Sequence, residues 1–373
     1  MPRSKRRSVR RRPTSASIAS TLTVLVIVAI LLIFQALTPE NQDQATATPL
    51  PAGGTATPSW YALYFTDPGA HTASSFLGGP DEFLAAAIDQ ARLSVDIAAY
   101  EFNLRSLRAA LLAAQRRGVA VRMVTDSDNL EETEVQDLIS AGIPVLGDRR
   151  EGLMHNKFVV IDRLEVWTGS MNMTANDAYR NNNNLIRIRS TRLAQNYTAE
   201  FEEMYVDDRF GPSSPANTPH PSLPVEGTLL EVYFSPDDGT ASRLLELVNG
   251  AQEQISFLAY SFTSDDLAGA LLSRAQAGVT VSGVMESSQF RSNVGTEYER
   301  FRAAGLDVHL DGNPRNMHHK VLVIDGQIAV TGSYNFSANA EKRNDENTLV
   351  IHNPEIAAQF QAEFEKIFAA SQP

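Results

Sequence analysis

The order of apolar and polar positions along residues 94–124 predicts a strand, a helix and a second strand. The run 94–102 is apolar over most of its length, which is typical of a strand buried in a sheet. Residues 106–117 are rich in Ala, Leu and Arg, and the next residue is Gly118, which suits the C-terminus of a helix. The apolar run 119–124 predicts the following strand. This succession is the repeating unit of an α/β sheet.

The same order of elements returns in the second half of the chain. The corresponding stretches of the first and second halves are 94–102 with 255–262, 106–117 with 265–277, 119–124 with 279–284, 131–141 with 296–304, and 196–201 with 359–364. Two long copies favour a pair of domains over a solenoid, which needs more and shorter repeats. We therefore predict two similar α/β sandwich domains, each a mixed sheet flanked by helices, related by a pseudo-twofold axis.

A Pro- and Ser-rich segment at residues 211–224 separates the two halves and is typical of a linker. The first domain is predicted at residues 59–210 and the second at residues 225–373. A stretch rich in Pro, Thr and Gly at residues 38–58 precedes the first domain and predicts an extended stalk.

The N-terminus resembles a membrane anchor. Residues 1–17 contain seven Lys or Arg and predict a basic cytoplasmic tail, and residues 18–37 are mostly apolar and uncharged. Such a run can span a bilayer core of about 30 Å, and the basic tail favours a cytoplasmic N-terminus. Because the small residues of a cleavage site fit poorly, we expect an uncleaved transmembrane helix with the two domains at a bacterial cell surface, or a secreted protein if the segment is cleaved.

Composition narrows the classes of function. The net charge is −12, and the first twelve residues contain seven of the 32 basic residues and no acid, so 25 basic residues face 44 acidic ones in the rest of the chain. An acidic body argues against sequence-independent binding of long nucleic acids, although it allows a local positive pocket. The absence of Cys excludes disulfides, thiol nucleophiles and thiolate metal sites.

One polar motif occurs twice, 163 residues apart, with every spacing kept. A lone His-x-Lys is weak evidence for a site, but chance does not preserve a long pattern twice. The first copy consists of His155, Lys157, Asp162, Gly169, Ser170 and Asn172, and the second of His318, Lys320, Asp325, Gly332, Ser333 and Asn335.

Strand periodicity predicts the geometry of each copy. Residues i and i+2 point to the same face of a strand, so the imidazole of His155 and the ammonium of Lys157 emerge side by side. His319, the neighbour of His318, falls on the opposite face. Asp162 also stands at odd spacing and is expected to support the fold, as is its counterpart in the second copy.

The two motifs resemble the signature of the phospholipase D superfamily, His-x-Lys-x4-Asp followed by Gly-Ser-x-Asn, and the similarity extends over about residues 60 to 370. The resemblance implies a bilobed α/β sandwich with one shared active site, metal-independent cleavage of a phosphodiester and a covalent phosphohistidine. The side chains suit this chemistry, because a neutral imidazole is a nucleophile and a protonated one is an acid. Charge on the phosphate would be stabilised by Lys157, Lys320, Asn172 and Asn335. No metal or cofactor is expected.

The resemblance also assigns roles to the two histidines. In similar enzymes an acidic residue orients a histidine across the pseudo-twofold axis, so Glu346 would hold His155 and Asn183 would hold His318. This makes His155 the nucleophile and His318 the general acid, then base. Asn183 stands where the second copy has Glu346, which leaves the pairing of His318 open, and an exposed turn is an equal alternative for residues 181–184. Ser170 and Ser333 are expected to support the site.

Two substrate classes remain open. Hydrolysis of phospholipids to phosphatidic acid and free headgroup is favoured by the predicted membrane anchor and the acidic body. The alternative is an endonuclease that cuts DNA or RNA with the same residues, because small members of the superfamily are nucleases. A non-catalytic scaffold is disfavoured, since neither motif has lost a residue. A monomer is expected, because both half-sites lie in one chain.

Overall fold

Two mixed sheets form the framework of the protein in a computed structural model that describes residues 60–372. Both belong to one compact unit. The first sheet has seven strands in the order β1-β7-β6-β5-β2-β3-β4, and the second has eight in the order β12-β11-β10-β13-β14-β15-β9-β8. In each sheet one group of strands pairs in parallel and the remaining strands pair antiparallel. The two α/β halves fit the fold predicted from the sequence.

The strands of the first sheet lie between residues 61 and 189. They are β1 Tyr61–Phe65, β2 Ser94–Ala99, β3 Ala120–Thr125, β4 Val145–Gly147, β5 Lys157–Ile161, β6 Glu165–Gly169 and β7 Asn184–Arg189. Those of the second sheet are β8 Ser222–Val225, β9 Thr228–Ser235, β10 Gln254–Ala259, β11 Thr280–Met285, β12 Asp307–Leu310, β13 Lys320–Ile324, β14 Ile328–Gly332 and β15 Glu346–His352.

The helices of the described residues follow the same duplicated order. They are α1 Pro80–Gln90, α2 Arg105–Arg116, α3 Thr133–Ser140, α4 Ala175–Tyr179, α5 Thr191–Tyr205, α6 Thr240–Gly250, α7 Asp265–Gln276, α8 Ser287–Ser292, α9 Tyr298–Ala303, α10 Ala338–Lys342 and α11 Pro354–Ala369. Short 3₁₀ helices lie at Ala73–Ser75, Ser127–Asn129 and Gly211–Ser213.

The closing helix of each half enters the core between the two sheets. Helix α5 begins after Ser190, whose side chain accepts the backbone N–H of Leu193. Leu193, Tyr197 and Phe201 are four residues apart, so they share one buried face, and each such burial contributes about 2 kcal/mol. In α11 the same spacing is kept by Ile356, Phe360 and Phe364.

The core between the sheets brings the two halves together. It contains strand residues of both sheets, such as Val160 and Val323, together with the buried faces of α5 and α11. Two further clusters cover the outer faces, one beneath α1 to α3 and the other beneath α6, α7 and α9. Each sheet is thus covered on both faces.

The segment expected to be a linker, residues 211–224, contains regular structure. It begins with the 3₁₀ helix Gly211–Ser213, and its last residues belong to β8, which pairs antiparallel with β9. The end of the first half is thereby joined to the edge of the second sheet. The boundaries given above for the domains stay a prediction.

The membrane part of the predicted fold class needs correction. Among residues 60–372, no helix combines the length and the apolar character needed to cross a bilayer. The stretch 18–37, on which that prediction depended, lies outside the described residues, as do the basic tail and the stalk. The architecture supported by the structure therefore does not include the transmembrane anchor. The predicted cell-surface location depended on that anchor and is not supported either.

Candidate active site

The two His-x-Lys pairs lie at the starts of equivalent central strands, β5 and β13. Each histidine lies two residues before the first residue of its strand and is bound to the other half of the chain through its backbone. The N–H of His155 donates to the carbonyl of Asp345 at 2.9 Å, and that of His318 donates to the carbonyl of Asn182 at 2.9 Å. The half-sites therefore cross-link the two halves where they meet.

The ring of His155 is held by a buried carboxylate from the other half. Its Nδ1 lies 2.7 Å from Oε2 of Glu346, the first residue of β15. The amide of Asn344 donates to the other oxygen of Glu346 at 3.2 Å. Because a carboxylate only accepts, the neutral ring donates from Nδ1 and keeps a free lone pair on Nε2.

The ring of His318 meets a different set of acceptors. Its Nδ1 lies 3.0 Å from Oδ1 of Asn183, 3.1 Å from the carbonyl of Ser170 and 3.3 Å from Oδ1 of Asp177. The Asn183 amide is oriented by its own NH₂ group, which donates to Oδ1 of Asp177 at 2.8 Å. This ring is also held as the Nδ1–H tautomer with Nε2 free.

Burial makes both imidazoles neutral near pH 7. The pKa of His155 falls to about 4, because the loss of hydration outweighs the attraction of Glu346 for the protonated ring. The pKa of His318 falls well below its ordinary value of 6.5, through burial first and then through Lys320 and Lys157. A bound phosphodiester is anionic, so its arrival raises the pKa of both rings.

Both motif lysines are buried beside an aromatic ring. Each Nζ donates at 2.7 Å to the carbonyl of the histidine two residues earlier. Lys157 lies 5.2 Å from the centre of the Tyr100 ring and Lys320 lies 4.6 Å from that of Tyr260. Burial lowers the pKa of Lys157 to about 8 and that of Lys320 well below its ordinary value. An ammonium has three donors, so each lysine retains two for an anion.

Both histidines line one cavity of about 360 Å³. Of the predicted phosphate ligands, Asn172 and Asn335 also line it, whereas neither lysine does. Glu101 and Asp177 add two carboxyl groups to the wall, and none of the described residues that line it is Arg or Lys. The cavity wall is thus polar and contains the two histidines, whereas the two motif lysines lie behind it.

The Gly-Ser turns bring the asparagines to this cavity. Gly169 ends β6 with φ at 149°, and a Cβ there would lie 2.3 Å from the carbonyl oxygen of Asn184. Gly332 ends β14 with φ at 145°, and its Cβ would lie 2.2 Å from that of Asn347. Only glycine accepts both the conformation and the close approach.

The serines of these turns bind the strands that follow. The hydroxyl of Ser170 donates to Oδ1 of Asn183 at 2.9 Å, while that of Ser333 accepts the backbone N–H of Asn347 at 3.0 Å. Neither serine lines the cavity. Ser170 contacts the amide that faces His318, and Ser333 contacts the backbone of β15.

The motif aspartates lie at the far ends of β5 and β13. The carboxylate of Asp162 accepts the backbone N–H groups of residues 92–94, and that of Asp325 accepts those of residues 252–254. Burial alone would raise the pKa of Asp325, but these three donors lower it. The structure does not bring either carboxylate into the cavity.

The residues after the two histidines face away from the cavity into a second contact between the halves. The amide of Asn156 accepts from Asn347 at 2.9 Å, and Nδ1 of the buried His319 lies 2.9 Å from the amide of Asn184. His319 therefore contributes to the joint between the halves.

The cavity residues that the sequence analysis missed include Tyr100, Tyr260 and Asp177. Tyr100 and Tyr260 follow equivalent strands in both halves and their rings contact the two histidines edge-on, so the duplication contained a signal for them. Asp177 has no such signal, because Ala340 occupies the equivalent position of the second copy. Within residues 60–372, no group of three or more His, Asp or Glu side chains is arranged to hold a metal ion.

Comparison with protein families gives a match in each half of the chain. A family model described as "Cardiolipin synthase, PLD-like domain" matches residues 84–205 and 244–368. These two segments contain both motifs and together cover more than half of the chain.

Similar curated proteins include enzymes that act on phospholipids. A mitochondrial cardiolipin hydrolase of Chlamydomonas reinhardtii is 30% identical over 36% of this chain. A phospholipase D of Rickettsia felis is 40% identical over 32% of this chain. The matched segments span 60% of the length of each of these two relatives.

A solved structure supports the arrangement of both halves. The phosphatidylserine synthase of Haemophilus influenzae Rd KW20 covers 83% of this chain with a TM-score of 0.64, and 87% of that chain is matched. At 15% identity this likeness shows the fold alone. The family and the names of the relatives indicate a phosphodiesterase of the hydrolase class. The chain belongs to the phospholipase D superfamily.

Proposed function

We propose that this protein hydrolyses phospholipids to phosphatidic acid and free headgroup through a covalent phosphohistidine on His155. The observation that carries the assignment is the difference between the two rings. Nδ1 of His155 lies 2.7 Å from the carboxylate of Glu346, whereas Nδ1 of His318 is closest to an amide oxygen and a backbone carbonyl, with the carboxylate of Asp177 at 3.3 Å. The stronger anionic partner better stabilises the positive ring that forms when Nε2 bonds to phosphorus.

In the first step Nε2 of His155 attacks the phosphorus atom of the bound diester. A P–N bond forms and the P–O bond to the headgroup breaks. His318, protonated in the complex, gives its Nε2 proton to the departing oxygen, so the headgroup leaves as an alcohol. The phosphatidyl group remains on His155, and the positive charge of that ring faces Glu346.

In the second step a water molecule replaces the headgroup. His318 is now neutral and takes a proton from the water as its oxygen attacks phosphorus. The P–N bond breaks and phosphatidic acid leaves, with His155 again neutral and His318 again protonated. His318 thereby regains the proton that it donated in the first step.

The phosphate oxygens need donors throughout both steps. Lys157 and Lys320 each retain two N–H donors after binding a carbonyl. The side-chain amide of Asn335 lines the cavity, and that of Asn172 does so while one of its N–H groups donates to Asp177. We assign these four residues to stabilisation of charge on phosphorus.

A phospholipid is favoured over a nucleic acid by the cavity wall and by the relatives. Glu101 and Asp177 lie in the wall, while the described lining residues include no Arg or Lys. A polynucleotide needs basic groups along its path, whereas one headgroup does not. The family model and the two relatives carry the names cardiolipin synthase, cardiolipin hydrolase and phospholipase D.

The test presents the full-length protein with three substrates in parallel. These are phosphatidylcholine vesicles, cardiolipin vesicles and single-stranded DNA, with His155→Ala as the inactive blank. His71→Ala is the matched control, because His71 is an exposed histidine outside the cavity. Phosphatidic acid or phosphatidylglycerol released from vesicles supports the proposal. Cleavage of DNA alone would favour the nuclease, and no product from any substrate would overturn both.

A further inference from the structure

The two halves of the chain carry their site carboxylate at different places. Glu346 in the second half corresponds to Asn183 in the first, since both follow their motif histidine by 28 residues. Six residues earlier the situation is reversed, because Asp177 in the first half corresponds to Ala340 in the second. Of these two equivalent positions, each half therefore has a carboxylate at one, but at a different one.

Asp177 is buried and gathers several donors of the site. It lies in α4 with 3% of its surface exposed. Its Oδ1 accepts from the amides of Asn181 at 3.1 Å and Asn183 at 2.8 Å, and its Oδ2 accepts from the amide of Asn172 at 3.1 Å and the hydroxyl of Thr174 at 2.8 Å. Nδ1 of His318 is 3.3 Å from Oδ1.

We propose that Asp177 is the positioning residue that supplies His318 with the carboxylate that Glu346 supplies to His155. The proposal rests on the function proposed above, in which His318 is the acid and then the base. It goes further by naming the group that keeps this ring in the reactive tautomer and favours its protonated form.

Orientation of the Asn183 amide is the first part of this role. Its NH₂ group donates to Oδ1 and to the backbone carbonyl of Asp177, so its oxygen must face Nδ1 of His318. Without the carboxylate, one reason for this orientation is lost. A turned amide would present N–H to Nδ1, and the proton of the neutral ring would move to Nε2, where it blocks uptake of a proton from water.

Charge is the second part of the role. Burial, Lys320, Lys157 and His155 all disfavour the positive charge of protonated His318. A carboxylate at 3.3 Å opposes them, and it is placed on the side of the ring opposite to Nε2. The negative charge of Asp177 therefore favours the form of His318 that donates to the leaving oxygen.

The first test compares leaving groups in Asp177→Asn and Asp177→Ala. Choline leaves phosphatidylcholine as a basic alkoxide that needs a proton, whereas p-nitrophenolate leaves bis(p-nitrophenyl) phosphate as a stable anion that does not. We expect the first-step rate, measured as pre-steady-state release of the leaving group, to fall about 100-fold for phosphatidylcholine and less than about 5-fold for the nitrophenyl diester, as in His318→Ala. Equal losses on both substrates, or no loss, would overturn the proposal.

The second test moves the carboxylate within the chain. Asp177→Ala combined with Asn183→Glu gives the first half the pattern of the second, with Ala at one position and Glu at the other. We expect this double variant to recover at least about 10-fold of the activity on phosphatidylcholine that Asp177→Ala loses. A folded double variant with no recovery would contradict the role, since a purely structural Asp177 would not be replaced from Asn183.

The third test needs no turnover and separates this inference from the proposed function. Nitrogen-15 chemical shifts report which ring nitrogen carries the proton. We expect His318 to be the Nδ1–H tautomer in the wild type and a mixture in Asp177→Asn, while His155 stays unchanged as the internal control. If the His318 tautomer is unchanged in Asp177→Asn, the inference is wrong even if the enzyme is active. A changed tautomer would support the inference even if no lipid were cleaved.

Discussion

His155 and His318 occupy equivalent places in two copies of one motif, yet their surroundings differ. His155 faces the carboxylate of Glu346 at 2.7 Å, while His318 faces the amide oxygen of Asn183 at 3.0 Å with Asp177 beyond it at 3.3 Å. Both rings are held as the same tautomer and open on the same cavity. The difference lies in how much negative charge each ring receives.

This difference shows how a duplicated site can divide two tasks. The nucleophile gains a full positive charge when it bonds to phosphorus, and a carboxylate in direct contact with Nδ1 stabilises that charge. The acid must give up its proton again, and a shared carboxylate stabilises its charged form less strongly. Identical motif residues therefore do not imply identical roles; the neighbours that follow each motif decide them.

The largest effect is expected from removing the two rings in turn. His155→Ala should lower kcat by about 10⁴-fold or more on every substrate, because no other group can take its place as nucleophile. His318→Ala should release a burst of p-nitrophenolate from bis(p-nitrophenyl) phosphate, because this leaving group needs no acid, and should then stall at the phosphohistidine, whose hydrolysis needs His318 as base. Pre-steady-state release of p-nitrophenolate and steady-state turnover of phosphatidylcholine measure both effects. A burst in His155→Ala and none in His318→Ala would show that the roles are exchanged.

A smaller loss of kcat is expected when the residues that contact Nδ1 of each histidine are substituted. Glu346→Gln removes a charge, and we expect kcat to fall about 10²- to 10³-fold. Asn183→Ala removes a neutral acceptor, and a fall of about 10-fold is expected. The comparison requires that unfolding midpoints in urea stay close to that of the wild type. Equal losses in the two variants would remove the basis for distinguishing the half-sites.

The pH dependence of kcat/KM gives a moderate and directional effect. In kcat/KM, activity should rise with pH as His155 of the free enzyme loses its proton near its pKa of about 4. In kcat, activity should fall at higher pH as His318 of the complex loses the proton that it donates to the leaving oxygen. Glu346 raises the pKa of His155, so Glu346→Gln should move the acid limb to lower pH. A limb that stays in place would show that it belongs to another group.

Chelation is expected to have the smallest effect. The charges on phosphorus are assigned to lysines and asparagines, so activity after dialysis against EDTA should stay within about 2-fold of the untreated protein. Added Mg²⁺ or Ca²⁺ in a parallel sample controls for effects on the vesicles. A loss that only a metal ion restores would contradict the assignment.

The sequence could predict the repeated strands and helices because their signals are local. Apolar runs, helix-ending glycines and the spacing of the motif need only neighbouring residues. The pairing of β1 with β7, and of β9 with β15, depends on contacts far apart in the chain, so no local pattern revealed it. The apolar run that predicted an anchor belongs to residues that the structure does not describe.

The candidate site also contains residues that local patterns predicted and residues that only the fold brings together. Duplication singled out His155, Lys157 and their counterparts, and the proximity of Glu346 to His155 was expected only from the resemblance to a known family. Asp177 was invisible because it occurs in one copy alone, and its importance depends on a fold that brings α4 against His318.

The identity of the residue that carries the phosphoryl group tests the central claim most directly. The enzyme would be quenched rapidly during turnover of a phosphodiester, digested at alkaline pH and analysed by mass spectrometry for a histidine that carries the phosphoryl group with the retained ester of the substrate. The account predicts the modification on the peptide that contains His155, and none in His155→Ala. Modification of His318, or a turning-over enzyme with neither histidine modified, would contradict it.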